Sequence, residues 1–348
     1  MKRLLLLFIL LLAACAPEST ATPSTGPETL TVMTHDSFSI SEEVVRSFEE
    51  ANNAEVVFLP GGDAGSVLNR AILTRDAPLA DLLFGVDNTF LSRALEEDIF
   101  ESYDSPVLNE IPDTFKLDAS NRALPVDYGD VCINYDKAYF EENSLAVPQS
   151  LEDLTKPEYE GLLVVENPAT SSTGLAFLLA TVAHYGDSFT EYWQALTENG
   201  VVVVDGWETA YFTNFSGSSG RGPQPMVVSY GTSPAAEVIG AETPLDDAPT
   251  ASITGPDTCF RQVEFVGILK GTRQRALAET FVDFMLSRQF QVDVPLQMFV
   301  YPVNPDAALP DEFTKYAQAP EQTAQLAPDV IAENRDAWIQ AWTDVVMK

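Results

Sequence analysis

Short apolar runs alternate with amphipathic segments through the first hundred residues of the chain. The runs at 30–34, 54–59 and 80–85 have the length and composition of buried strands. Between them, the segments 42–50 and 67–72 place apolar residues at helical spacing. Strands that alternate with helices in this way indicate parallel βαβ units. The pattern therefore predicts an α/β lobe near the start of the chain.

The same alternation returns after residue 160 and predicts a second α/β lobe. Each apolar run in this part precedes a helical pattern: 162–165 before 174–184, 201–204 before a short helix from 208, and 226–230 before 234–239. A further strand at 262–266 leads into helices at 275–286 and 329–347. A chain of this length is more than one core usually holds, which also favours two domains.

The first fifteen residues carry a targeting pattern. Lys2 and Arg3 precede an apolar run at 4–12, which is typical of a secretory signal. The small residues that follow end at Cys15, and the order Leu-Ala-Ala-Cys resembles a bacterial lipoprotein box. A short transmembrane helix is the alternative, but the run is well below the roughly 20 residues that a bilayer requires. We therefore expect residues 1–14 to be removed and Cys15 to be lipidated.

Residues 15–29 are mostly Pro, Ser, Thr and Glu, without a large apolar side chain. Such a segment cannot bury enough surface to offset its ordering entropy. We expect it to be a flexible tether between the lipid anchor and the folded lobes. This places the protein outside the cytoplasm, on the surface of a membrane that it does not cross.

The formal charge of −33 excludes one class of partner and suggests another. Nucleic acid is not expected, because phosphate binding needs clustered Lys and Arg. A cationic ligand would be attracted by such a field, although acidity also serves the solubility of an exported protein. Besides Cys15, the chain has only Cys132 and Cys259. This pair predicts a disulfide in an exported protein, with two buried free thiols as the alternative.

Signals of catalysis are absent from the sequence. It contains no P-loop, no H-E-x-x-H and no G-x-S-x-G motif. The chain has two histidines, and His184 lies in a predicted helix where a structural role is the simplest interpretation. We expect no enzyme activity, no cofactor and no metal site.

Polar and aromatic residues instead follow the predicted strands in both lobes. In open α/β sheets, ligands bind beyond the carboxyl ends of the strands. Six such segments are present: 35–38, 61–66, 87–88, 167–174, 205–208 and 229–234. Each one alone has a simple structural explanation, such as a helix cap. Together they predict a ligand cleft lined by both lobes.

Eight motifs, taken in their order along the chain, indicate a protein family. They are Thr34-His-Asp-Ser-Phe38, Gly85-Val-Asp-Asn88, Pro125-Val-Asp-Tyr-Gly129, Tyr135-Asp-Lys137, Ser171-Ser-Thr-Gly174, Gly206-Trp-Glu-Thr-Ala-Tyr211, Ser229-Tyr-Gly-Thr-Ser-Pro234 and Tyr301-Pro-Val303. The ordered set, over 30–342, resembles the thiamine-binding proteins of bacterial ABC importers, within the wider class of periplasmic solute-binding proteins.

The resemblance implies a two-lobed periplasmic-binding-protein fold with crossing hinge strands and a ligand cleft between the lobes. The first lobe would comprise 30–127 and about 262–348, including the C-terminal helices, and the second lobe 128–261. It also implies a monomer that delivers thiamine, or a thiamine phosphate, to an ABC permease in the membrane. Cys132 and Cys259 would then lie on the two crossing segments.

The resemblance also assigns ligand-binding roles to individual residues. They are His35, Asp63, Ser171, Trp207 and Tyr230, and Phe299 offers a further ring. The thiazolium cation of thiamine favours a carboxylate and aromatic faces, which Asp63, Trp207 and Tyr230 can supply. The turn at 171–174 is either an anion site for a ligand phosphate or a helix cap.

Three positions depart from the family pattern. His35 and Ala236 stand where the family has tyrosine, and Phe299 stands where it has tryptophan. A ferric-ion-binding protein of the same fold is one alternative, although the sequence lacks the adjacent tyrosines often found in those proteins. A polyamine-binding protein also fits the acidity. A surface hydrolase or a purely structural envelope protein fits less well, given the missing catalytic motifs and the polar strand ends.

Overall fold

The computed structural model describes residues 26–218 and 221–347. The predicted signal segment, Cys15 and the tether as far as residue 25 lie outside the described residues. The strands are β1 (Glu28–Thr34), β2 (Ala54–Pro60), β3 (Leu82–Asp87), β4 (Phe100–Glu101), β5 (Leu124–Asp136), β6 (Leu163–Glu166), β7 (Val202–Val204), β8 (Met226–Tyr230), β9 (Thr250–Ile253), β10 (Phe260–Leu269) and β11 (Tyr301–Pro302). The helices are α1 (Glu42–Asn52), α2 (Ala64–Leu73), α3 (Leu91–Glu96), α4 (Lys137–Glu142), α5 (Ser172–Tyr185), α6 (Phe189–Glu198), α7 (Ser233–Ile239), α8 (Arg275–Leu286), α9 (Arg288–Gln291), α10 (Val294–Gln297), α11 (Asp311–Tyr316) and α12 (Pro328–Val346).

The sheet has parallel pairs at its two ends and antiparallel strands in its middle. Its main order is β2-β1-β3-β10-β5-β8-β6-β7. Strand β1 runs parallel to β2 and β3, and β6 runs parallel to β7 and β8. Each parallel end is one α/β lobe, so the predicted two-lobed α/β fold is confirmed.

Strands β5 and β10 cross between the lobes as an antiparallel pair. The carboxyl half of β10 pairs with β3, whereas the carboxyl half of β5 pairs with β8 and β9. The predicted domain boundaries, 128 and about 262, fall inside these two strands. On the crossing pair, the Arg261 guanidinium donates to both carboxylate oxygens of Asp130 at 2.8 and 2.9 Å. Cys132 and Cys259 form a disulfide at the end of the pair nearer to the second lobe.

Each lobe packs its helices on the sheet through apolar side chains. In the first lobe, Phe48 of α1 and Phe281 of α8 are fully buried beside the strands. In the second lobe, α5 is buried on nearly every side, with 11 of its 14 residues buried. This explains why the α5 sequence is apolar along its whole length rather than amphipathic.

The C-terminal helix α12 contacts elements of both lobes. Its Trp342 is fully buried and lies edge-on against Trp193 of α6, with ring centroids 5.6 Å apart. Its Arg335 donates to the Ser92 hydroxyl of α3 at 3.2 Å. The helix therefore links α3 of the first lobe to α6 of the second lobe, and none of its described residues lines the cavity. Among the described residues, no helix is both long and apolar enough to cross a bilayer.

Candidate functional site

The carboxyl ends of the strands in the two lobes face each other across a cavity of about 920 Å³. The first lobe contributes His35 after β1 and Asp63 after β2. The second lobe contributes Trp207 after β7 and Tyr230 at the end of β8. The volume lies in the upper part of the range of roughly 300–1,000 Å³ that is typical of small-molecule sites.

Aromatic rings contribute to the second-lobe wall of the cavity. Trp207 precedes a π-helical turn, Thr209–Asn214, and its indole stacks on Tyr211 with centroids 5.0 Å apart and planes 19° apart. Its Nε1 donates to the Ser229 hydroxyl at 2.9 Å, which fixes the orientation of the ring. The Tyr230 hydroxyl donates to the Gln262 side-chain carbonyl at 3.0 Å. The rings are thus held in place by the protein before any ligand binds.

Asp63 connects the two lobes. It caps the N-terminus of α2, where its Oδ1 accepts from the Ala64 amide at 2.7 Å. Across the cleft, the same oxygen accepts from the Ser172 amide at 3.4 Å, and Oδ2 accepts from the Trp207 amide at 2.9 Å. Because these donors belong to the other lobe, the structure is a closed form of the cleft. The sequence could indicate a carboxylate here but not its partners, which are more than a hundred residues away.

Ser171 does not line the cavity. It is fully buried, and its hydroxyl accepts from the Gly174 amide at 3.5 Å as the cap of α5. Ser172 and Thr173 line the cavity in its place. The Ser172 amide at this helix N-terminus already faces the Asp63 carboxylate. Ser171 is therefore a helix cap, one of the two roles that the sequence allowed. The carboxylate at this helix N-terminus is that of Asp63.

His35 and Glu264 form an ion pair on the first-lobe side of the cavity. The Nε2 atom of His35 lies 3.5 Å from Oε1 of Glu264. Gly85, at φ +99°, leaves room for the imidazole, because a Cβ at that position would collide with the ring. Burial lowers the pKa of His35, but the Glu264, Asp63 and Asp36 carboxylates raise it more, and the net pKa lies above its ordinary value. The imidazolium form is favoured.

Two further carboxyl groups are buried behind this pair. Asp127 lies directly opposite Glu264 on the crossing strands, and neither of its carboxyl oxygens has a hydrogen-bond partner among the described residues. Burial and the Glu264 charge raise the pKa of Asp127 well above its ordinary value, which favours its protonated form. Burial also raises the pKa of Asp87 to about 7, although Thr89 donates to its carboxylate. Both shifts reduce the negative charge behind the cavity.

Phe299 and Ala236, two of the positions that depart from the family pattern, both line the cavity. Phe299 has a left-handed backbone, with φ +59°, which is unusual for a bulky residue and frequent at functional sites. Ala236 leaves its part of the wall without a ring. Phe212, which the sequence did not single out, lies edge-on to Trp207 with centroids 5.5 Å apart and lines the same cavity.

Several lining residues were not assigned a ligand-binding role from the sequence. They are Glu208, Tyr211, Phe212, Arg221, Glu237 and Glu264. Glu208 and Tyr211 lie in the motif that begins at Gly206, so the motif itself was an available signal. Glu264 lies in β10 between Val263 and Phe265, where the strand pattern alone does not indicate a cavity residue. No group of three or more His, Cys, Asp or Glu side chains suited to a metal ion occurs among the residues that the structure describes.

Comparison with known proteins assigns this fold and cleft to a family. The model of the family described as bacterial extracellular solute-binding protein matches residues 77–323. The chain belongs to this family. The binding protein is also 33% identical to a thiamine-binding periplasmic protein of Salmonella typhimurium, over 98% of this chain and 99% of that protein. A protein of the same name from Escherichia coli is 31% identical over 92% and 94% of the two chains.

A solved structure described as a periplasmic thiamin binding protein agrees in both fold and sequence. It superimposes on the binding protein with a TM-score of 0.80 and 29% identity, covering 92% of this chain and 97% of the other. The resemblance inferred from the ordered motifs is therefore confirmed. The family also confirms an extracytoplasmic solute-binding protein, and its relatives are binding proteins rather than enzymes.

Proposed function

We propose that the binding protein captures thiamine outside the cytoplasmic membrane and delivers it to an ABC permease, without catalysing a reaction. The observation that carries this proposal is the closed cavity between the lobes, whose lining combines aromatic rings with carboxylates. Relatives that match almost the whole chain are named for thiamine binding, which supports the same ligand.

The cavity offers partners for both the thiazolium and the aminopyrimidine ring of thiamine. The stacked pair of Trp207 and Tyr211 offers an aromatic face for the thiazolium cation or for the flat aminopyrimidine. Around these rings, Asp63, Tyr230 and Ser233 provide acceptors and donors for the polar edge of the pyrimidine. His35 and Phe299 would close the opposite side. These residue roles are part of the proposal.

The cleft favours thiamine over its phosphates. A ligand phosphate would be expected at the N-terminus of α5, but the Asp63 carboxylate lies at that helix end and would repel it. Within the described part of the lining, Arg221 is the one Lys or Arg side chain. A thiamine phosphate would therefore depend on Arg221 for its charge partner.

The location follows from the family and from the N-terminal sequence. We propose that Cys15 carries lipid and that the segment from Cys15 to the start of β1 at Glu28 tethers a monomeric binding protein to the membrane surface. The ferric-ion alternative finds no support in the cavity, where the Tyr230 hydroxyl is used by Gln262. Closure of the lobes on the ligand would be the form that the permease recognises.

Mass spectrometry of small molecules released from the purified protein tests the proposal. The form to use starts after Cys15, is expressed in thiamine-containing medium and is denatured to release its ligand. Thiamine at near one equivalent per chain is the expected result. A polyamine, or a compound without a cationic heteroaromatic ring, would contradict the proposed ligand.

A further inference from the structure

Five carboxylates line the cavity, and the protein compensates three of them itself. Asp63 accepts three backbone amides. Glu264 is paired with His35. Glu237 accepts the Tyr211 hydroxyl at 2.6 Å. The other two are Glu208 and Glu242. A bound cation would find its strongest partner among the carboxylates that lack such a donor.

Glu208 is the uncompensated carboxylate next to the aromatic wall. It follows Trp207 directly and stands at the start of the π-helical turn. Neither a hydrogen bond nor an ion pair involves its carboxylate among residues 26–218 and 221–347. Both side chains are exposed, but Glu242 lies in the segment after α7, beyond Gly240, rather than beside Trp207. Glu208 is therefore the better placed of the two for a ligand that stacks on Trp207.

The surroundings of Glu208 are negative. Burial raises the pKa of Glu208, the Asp36 and Asp63 carboxylates raise it further, and His35 opposes them. Carboxylates of both lobes thus come together at one side of the closed cleft, and like charges brought together oppose closure. A cation placed between them would remove this repulsion, so ligand charge and lobe closure would be linked.

We propose that Glu208 is the counter-charge that selects a cationic ligand in the cleft, whereas Asp63 chiefly holds the two lobes together. The inference rests on the proposed function, since it takes thiamine as the cation. The quaternary thiazolium nitrogen has no hydrogen to donate, so Glu208 would act through charge rather than through a hydrogen bond. Glu208 would then select the charge of the ligand, and Asp63 would stabilise closure of the lobes.

A comparison of two ligands separates these tasks. Thiamine carries the cation, and its isolated pyrimidine, 4-amino-5-hydroxymethyl-2-methylpyrimidine, is neutral at pH 8. For Glu208→Gln, calorimetry should show thiamine binding weakened about tenfold, the effect of a partly screened charge pair. The neutral fragment should bind within twofold of wild type. Raising the salt concentration should weaken thiamine binding less in Glu208→Gln than in wild type.

Two variants serve as references. Asp205→Asn makes the same change of net charge three residues away, on an exposed side chain outside the cavity lining, and should bind both ligands as wild type does. Asp63→Asn should weaken both ligands by similar factors, because its loss acts on closure rather than on the ligand charge.

Three results would overturn the inference, and they can be told apart. If wild type binds thiamine and Glu208→Gln binds it equally well, the role of Glu208 is wrong while the proposed function stands. If wild type binds no thiamine, the proposed function fails and the inference fails with it. A parallel loss of thiamine and fragment in Glu208→Gln would also contradict selection by charge.

Discussion

The two walls of the cleft use their side chains differently. On the first-lobe wall, the polar groups are already paired within the protein, as His35 is with Glu264 and Asp63 is with backbone amides. On the second-lobe wall, the rings of Trp207 and Tyr211 face the cavity and Glu208 has no partner among the described residues. The difference suggests that the first lobe chiefly sets the closed geometry and the second lobe chiefly recognises the ligand.

The largest expected effect concerns the disulfide that links the two crossing strands. The disulfide joins residues 127 positions apart, so its removal should lower the free energy of unfolding by about 2–4 kcal/mol. Cys132→Ser/Cys259→Ser, measured by denaturant titration, should unfold at a lower midpoint yet keep thiamine affinity within a few-fold. Thiol titration of unfolded, unreduced protein that starts after Cys15 provides the control. Two free thiols in that experiment would show that the bond does not form.

Removing the main ring of the second-lobe wall should have the next largest effect. Trp207→Ala loses a stacking face worth about 2 kcal/mol, which corresponds to roughly thirtyfold weaker thiamine binding. It should also lose most of the ligand-induced change in tryptophan fluorescence. Trp338→Phe, a change on α12 away from the cavity, is the matched control and should retain both affinity and quenching. Quenching that survives in Trp207→Phe would show that another tryptophan reports the ligand.

On the first-lobe wall, Asp63→Ala should weaken closure of the lobes, while the stacking rings of the second lobe stay in place. The charge-assisted hydrogen bond from the Trp207 amide, at 2.9 Å, contributes about 1.5 kcal/mol, so its loss should lower thiamine affinity about tenfold. Small-angle scattering at saturating thiamine should show a larger radius of gyration than for wild type. If the radius matches that of ligand-bound wild type, Asp63 does not control closure.

The smallest effect is the pH dependence of the His35–Glu264 pair. Since the pKa of His35 is raised in the folded state, the pair stabilises the fold below the unfolded value of about 6.5. This contribution is lost as pH rises through the folded pKa. The difference in unfolding free energy between wild type and His35→Gln should therefore be largest near pH 6 and shrink at higher pH.

The second histidine allows a matched comparison for this measurement. Burial lowers the pKa of His184, but Asp257 at 3.1 Å and Glu152 at 2.8 Å raise it more. His184→Gln should change stability with the same sign of pH dependence but leave thiamine binding unaffected. A pH dependence of stability that is identical in wild type and His35→Gln would contradict the charged His35 pair.

The regular elements of the lobes were predictable because their apolar spacing is local. The predicted strands at 30–34, 54–59 and 226–230 all lie within strands of the structure. The crossing strand β5 was implied by the family resemblance and not by apolar spacing, because Asp127, Asp130 and Asn134 interrupt its pattern. These polar residues are buried, and two of them find partners far away in sequence: Asp130 binds Arg261, and Asn134 donates to the Tyr230 carbonyl at 3.0 Å.

The sequence predicted which residues lie at the cavity better than it predicted the contacts between them. Of the six positions expected to bind ligand, the structure places five at the cavity, and their contacts with a ligand stay a prediction. The sixth, Ser171, caps a helix, a role that its sequence context equally allowed. The pairing of Asp63 and the unpaired state of Glu208 depend on how the lobes close, which no local pattern contains.

Titration calorimetry with thiamine measures whether both walls close on a cationic heteroaromatic ligand. The protein to use starts after Cys15 and has been freed of bound ligand by unfolding and refolding. Closure on the ligand should give saturable binding of one thiamine per chain, with weaker binding by Trp207→Ala and by Glu208→Gln. Absence of saturable thiamine binding in the refolded wild type, with its disulfide intact, would contradict it.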